Sequence, residues 1–239
     1  MKLDTFLKEN RIKLNPEIKK FSDDGLEIMK RAKDPLHNLS HIERLFSELN
    51  LFLKKSNKKH DINFNILVPA ICWHDTWRSK RASKNSIKII YDFVMDGVGS
   101  ERLTKKALKK VKIDKKTGKN IRYCIAKHSS VQLRKPRTEE SRLLIDIDTV
   151  DMWSPERLEI AKEFIKENRG LKRVARITRR LALRKEDKEK YYFPWFKKRH
   201  KTVFPKFIKK MEELIWVSKP KKKRFQKLKS LLPFVKMSS

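Results

Sequence analysis

Apolar residues recur at helical spacing through most of the chain, and the exceptions fall in a few short polar stretches. Ile42, Leu45, Phe46 and Leu49 form one stripe, behind Asn38 or Ser40, either of which can cap a helix. Ile66 to Trp73 is an apolar helix that runs into His74 and Asp75. Ile87, Ile90, Tyr91 and Val94 supply the apolar stripe of the next helix, which Asp96-Gly97-Val98-Gly99-Ser100 is expected to end. Ile121 to Ala126 repeats the pattern and leads to His128, while Leu143 to Met152 sets Asp146, Asp148 and Asp151 in an otherwise largely aliphatic run. Pro16 starts a lead-in helix with Phe21, Ile28 and Met29 as core anchors, and Ser154-Pro155-Glu156 opens a further helix that Gly170 should close.

Five glycines and nine prolines leave few of the turn residues that punctuate β-folds. The fold class predicted is therefore all-α, a helical bundle of roughly eight to ten helices. Residues 1–217 read as one helical domain, with a motif-bearing region over 33–153 and basic helices over 156–217. Residues 218–239 read as a flexible basic extension.

The polar residues inside these stripes are of the types that bind metals. His41 falls in the first turn of its helix, His74 and Asp75 sit among core-like side chains, and Asp148 and Asp151 share one helix face. Burying Asp75 between Trp73 and Trp77 costs several kcal/mol unless a cation compensates it. Imidazole and carboxylate together suit a divalent ion such as Mn²⁺, Fe²⁺, Co²⁺, Ni²⁺, Zn²⁺ or Mg²⁺.

The segments HNLSHIERLF, ICWHDTWR, IAKHSS and LLIDIDTVDMW, in that order, resemble the HD-domain superfamily of metal-dependent phosphohydrolases, whose pattern is H…HD…D. The resemblance runs from about Lys33 to Trp153. It implies an HD-like helical fold and one or two divalent metal ions per chain. His41, His74, Asp75 and Asp148 would be the metal ligands, with His128 available to a second ion. Hydrolysis of a phosphate ester in a nucleotide-type or other polyanionic substrate, by metal-activated water at the His74-Asp75 centre, follows from the same resemblance. The chain departs from many members in lacking an acid just after the His-Asp pair, where Thr76, Trp77 and Arg78 stand. That departure keeps open an alternative, an HD-fold nucleic-acid-binding protein with a structural metal.

Arg44, Arg78 and Lys127 lie close in sequence to the ligand residues and could hold phosphate oxygens. His37, four residues before His41, is open to substrate contact, support of a ligand, metal ligation or capping. Asp151 reads as a partner to a ligand, Asp146 as bonded to backbone or a cation, and His60 as solvent-exposed.

Charge widens the picture. The 62 Lys and Arg against 29 Asp and Glu give a formal +33, which draws polyanions to the surface. Nucleic acid is one partner this admits, and a lysine-rich composition without a specific ligand is the other reading. Lys105–Lys119 carries eight lysines, Leu171–Arg184 six basic residues among Val174, Ile177 and Leu181, and Tyr191–His200 mixes aromatics with cations. Those aromatics either stack on single strands or fill a gap between the last helices. The tail repeats Phe225, Leu228, Leu231 and Leu232 at helical spacing among lysines, suiting an anionic membrane, RNA or a protein partner. No apolar stretch approaches the about 20 residues of a membrane span, and Cys72 and Cys124 read as reduced core residues, so a cytoplasmic protein is expected.

Overall fold

In a computed structural model of the chain, residues 1–56, 60–81, 85–128, 135–168, 170, 172–173 and 191–216 are described. Of the basic helix expected over 171–184 only Lys172 and Arg173 fall among them, and the 218–239 tail lies outside. The described elements are all helical: α1 (Leu3–Glu9), α2 (Pro16–Lys30), α3 (Leu39–Lys55), α4 (Phe64–Trp73), α5 (Thr76–Ser79), α6 (Ser86–Leu108), α7 (Lys115–Lys127), α8 (Glu139–Met152), α9 (Pro155–Ile160), α10 (Lys162–Glu167) and α11 (Pro194–Trp216). None is long and apolar enough to cross a membrane.

The bundle is built around α4, because a helix with no polar face must be surrounded. Every residue from Ile66 to Trp73 is buried, with α2 and α7 packed along it and α3 and α8 touching it. Phe21 of α2 stacks on Trp73, whose Nε1 donates to the Phe21 carbonyl at 2.7 Å. Cys72 and Cys124 are buried, free thiols. A second apolar cluster, around Trp153, Leu158, Ile165, Phe204, Phe207 and Met211, joins α9 and α10 to the distal half of α11.

The sequence expectation fails most clearly at α6. The Asp96–Ser100 segment does not end the helix, which runs on to Leu108. The glycines are there for close approach: a Cβ on Gly99 would lie 2.3 Å from the Trp77 ring of α5, and one on Gly97 would lie 3.1 Å from the Ala126 carbonyl of α7. The inward face is therefore small and polar, with Asp92, Asp96, Ser100 and Thr104 buried. The expected core stripe is on the opposite side and exposed, from Ile87 at 79% to Val94 at 46%.

Four smaller readings are settled by local structure. His60 is half-buried rather than free in solvent, bonded to Glu139 and Ser56 and packed on Phe52. The Tyr191–His200 aromatics largely fill a gap: Phe193, Trp195 and Phe196 all pack on Phe52. Asp146 points away from Asp148 and accepts the backbone N–H groups of Tyr192 and Phe193, which fixes the start of α11 on α8. The helix opened by Pro155 breaks at Ala161, and its continuation α10 ends at Glu167, ahead of Gly170.

Candidate metal centre

Asn38 caps α3, accepting from the Ser40 and His41 backbone N–H groups, and so sets His41 in the first turn facing the core. His74 and Asp75 occupy the corner between α4 and α5. Asp75 stands at the N-cap of α5 yet makes no cap hydrogen bond, forgoing about 1 kcal/mol of helix stabilisation. Its carboxylate is turned to the histidines instead.

There His41 Nε2 lies 3.2 Å from His74 Nε2, 3.2 Å from Asp75 Oδ2 and 3.5 Å from Asp148 Oδ1. His74 Nε2 is 3.4 Å from Asp75 Oδ2 and 3.9 Å from Asp148 Oδ1. Donors about 2.1 Å from one ion stand about 3.0–3.4 Å from one another in octahedral or tetrahedral coordination, so the separations among His41, His74 and Asp75 suit a single cation, with Asp148 standing somewhat further off. His41, His74 and Asp75 are buried, whereas the Asp148 side chain is 25% exposed and marks the open side.

The second nitrogen of each imidazole fixes its proton. His74 Nδ1 donates to the Ile71 carbonyl at 2.8 Å, and His41 Nδ1 donates to Asp151 Oδ2 at 2.7 Å. Both Nε2 lone pairs are thereby aimed at the same point, as in histidines that ligate metals. Asp148 and Asp151, one helical turn apart on α8, hold opposite sides of the His41 ring.

Asp75 faces two ways. Its Oδ1 lies 3.6 Å from His128 Nε2, and Asp75, Asp96 and His128 make a second buried group whose ligand atoms all fall within 4.8 Å of one another. His128 also commits Nδ1 to a backbone carbonyl, that of Ile125, at 2.7 Å. Either group could hold a metal ion.

Electrostatics follow from this crowding. Burial opposes charging every imidazole, and His74 is depressed to about 4. At His128, burial is outweighed by the Asp75 and Asp96 carboxylates, which lift it to about 9, and Asp151 and Asp75 raise His41 in the same way. Asp75 is held well below the usual carboxylate range despite its burial, because His74, His128 and His41 surround it. Asp96 is pushed well above that range by burial and by Asp75.

Behind the centre runs a chain of alternating charge. Arg44 binds Asp151 through Nε at 2.6 Å and Nη2 at 3.0 Å, and Arg157 Nη1 lies 3.7 Å from the same carboxylate. Arg157 Nη2 donates to His37 Nε2 at 3.0 Å, and His37 Nδ1 donates to Asp34 Oδ2 at 2.8 Å. Arg78 Nη2 closes the chain 3.8 Å from Asp34 Oδ2. His37 is thus engaged at both ring nitrogens and Arg44 is committed to Asp151, while Lys127 is half-buried beside His128.

Sequence reasoning missed Asp34, Asp96 and Arg157. Asp96 carried a signal: with Asp92 and Ser100 it recurs every four residues on the face opposite the apolar stripe. Arg157 and Asp34 carried none, since each reaches the site through contacts distant in sequence or through a loop. Compared with protein-family models, curated proteins and solved structures, the chain matches none of them.

Proposed function

We propose that this chain is a metal-dependent phosphohydrolase of HD-domain type, cleaving a phosphate ester in a nucleotide-type or other polyanionic substrate in the cytoplasm. The carrying observation is the convergence of His41, His74, Asp75 and Asp148 donor atoms from α3, the α4–α5 corner and α8 within 3.2–3.9 Å of the facing Nε2 atoms.

His41, His74, Asp75 and Asp148 would hold that ion; Asp75 Oδ1, Asp96 and His128 would hold a second. A bound divalent ion supplies an acidified water and a positive charge for the phosphoryl oxygens. Asp151 keeps the His41 proton on Nδ1, and Arg44 and Arg157 keep Asp151 ionised and in place. Where only the first ion is bound, Asp96 would be the buried acid that the segment after the His-Asp pair lacks. The basic surface gathers the polyanion.

The test is turnover of bis-p-nitrophenyl phosphate and of nucleotide monoesters with added Mn²⁺, against the Asp75→Ala variant. Metal-dependent hydrolysis lost in the variant supports the proposal. One observation favours a binding protein with a structural metal instead: a groove over α2, α5 and α6 lined by Lys20, Lys80, Lys106 and Lys110. Salt-sensitive RNA binding without turnover across metals would select that reading.

A further inference from the structure

We infer that Arg78 is the oxyanion-binding residue of this centre, donating to the non-reacting oxygens of a phosphoryl group. The inference rests on the proposed function and narrows it, because it separates Arg78 from the other cations near the ligands.

Three guanidinium groups border the cluster, and two of them are consumed. Arg44 gives Nε and Nη2 to Asp151 and Nη1 to Ser40 Oγ. Arg157 gives Nη2 to His37 and sets Nη1 toward Asp151. Arg78 differs. It is only 6% exposed, yet its Nε and Nη1 have no hydrogen-bond partner among the described residues. Its one carboxylate neighbour, Asp34 Oδ2, stands off at 3.8 Å and already accepts from His37 Nδ1 at 2.8 Å.

An arginine cannot shed its proton to escape burial. Each unmet N–H of a buried charged group costs about 1–3 kcal/mol or more, so these donors call for a partner that the described residues do not supply. Their location points to one. Arg78 N donates to the Asp75 carbonyl at 2.9 Å, which ties its backbone to that of a candidate ligand in a single-turn helix. Its charge is felt at Asp34, His37 and Asp96, the groups that border the cluster. Unmet donors on the residue three after Asp75 suit an anion that shares its oxygens with a cation held at Asp75. A phosphoryl group has enough oxygens to do so.

The experiment is phosphate binding to the full chain, with and without Mn²⁺, in buffers balanced with chloride and with acetate as a second anion. Wild type, Arg78→Gln and Arg78→Lys are compared, and Mn²⁺ affinity is titrated separately for each. Expected is phosphate affinity at least about tenfold weaker in Arg78→Gln, the equivalent of one lost charge-assisted hydrogen bond, with Mn²⁺ affinity within about twofold of wild type. Arg78→Lys should recover part of the loss. Phosphate bound equally by all three proteins overturns the inference and leaves the metal centre standing. Acetate bound as tightly as phosphate also overturns it, since the site would then be a carboxylate site. A wild type that takes up no Mn²⁺ sinks the hydrolase reading, while the metal-free phosphate arm still decides Arg78. If Arg78→Gln does not fold, the decision moves to Arg78→Lys and to the melting temperature. Phosphate should raise that of wild type more than that of Arg78→Lys, and an equal rise would overturn the inference.

Discussion

Asp151→Asn perturbs the centre without touching a proposed ligand. Asp151 is 1% exposed, accepts from His41 Nδ1 at 2.7 Å and from Arg44 at 2.6 and 3.0 Å, and has Arg157 at 3.7 Å. The amide keeps the shape and loses the charge. If its oxygen faces His41, its NH₂ meets the Arg44 Nε–H; if reversed, the NH₂ meets His41 Nδ1 and drives the ring proton onto Nε2. In both orientations two guanidinium groups lose their counter-ion. Breaking a buried pair costs about 3–5 kcal/mol, and the low end applies because the Arg44 side chain is 16% exposed and keeps Ser40. Metal affinity should fall about 10–100-fold, as it does when a carboxylate behind a ligating histidine is removed. Calorimetric titration with Mn²⁺ or Zn²⁺ measures the second effect and guanidinium unfolding the first. Asp146→Asn on the same helix is the control, since Asp146 serves only to hold the Tyr192 and Phe193 backbone. Metal affinity of Asp151→Asn within twofold of wild type, or an equal loss in the control, would show that Asp151 does not support His41 as a ligand.

Further outcomes are expected elsewhere. Asp75→Ala should abolish metal uptake and hydrolysis while circular dichroism shows nearly unchanged helical content; full metal occupancy in it would disprove the ligand assignment. Gly99→Ala should destabilise the fold by about 1–3 kcal/mol in denaturant unfolding, because the new methyl meets the Trp77 ring; a neutral effect would contradict the tight α5–α6 packing. His200, buried and with no partner for its Nε2 among the described residues, is depressed by burial to about 4. The unfolded chain takes up that proton near pH 6.5 and the folded one near pH 4. Stability from this group is therefore full above about pH 6.5 and lost as pH falls toward 4, on the order of 3 kcal/mol. His200→Phe should flatten acid unfolding over that window, and an unaltered profile would show that His200 is not responsible.

Much of the fold was legible because helical periodicity survives in a chain with few glycines. The α4 run, the α3 stripe and the capping Asn38 needed no tertiary information. The grouping of His41, His74, Asp75 and Asp148 was readable because each interrupts an apolar segment where a lone polar residue would be costly. What the sequence hid was direction. The α6 stripe of Ile87, Ile90, Tyr91 and Val94 has an ordinary core pattern, yet two glycines opposite it allow closer packing on Trp77 and Ala126 and turn Asp96 inward. Periodicity identifies an amphipathic helix without saying which face its neighbours prefer. Arg157 was illegible for a different reason: its partner His37 lies 120 residues away, and no local pattern encodes such a pairing. Asp34 meets His37 three residues on, in a loop without periodicity to mark it.

The facing Nε2 atoms of His41 and His74, with Asp75 and Asp148, are expected to bind a divalent ion. Metal content by mass spectrometry, on protein purified without chelator and after incubation with Mn²⁺ or Mg²⁺, tests it against a His74→Ala/Asp75→Ala double variant. Expected are about one or two equivalents in wild type and none in the variant. Wild type that stays empty after incubation, or a variant that keeps the metal, would contradict it.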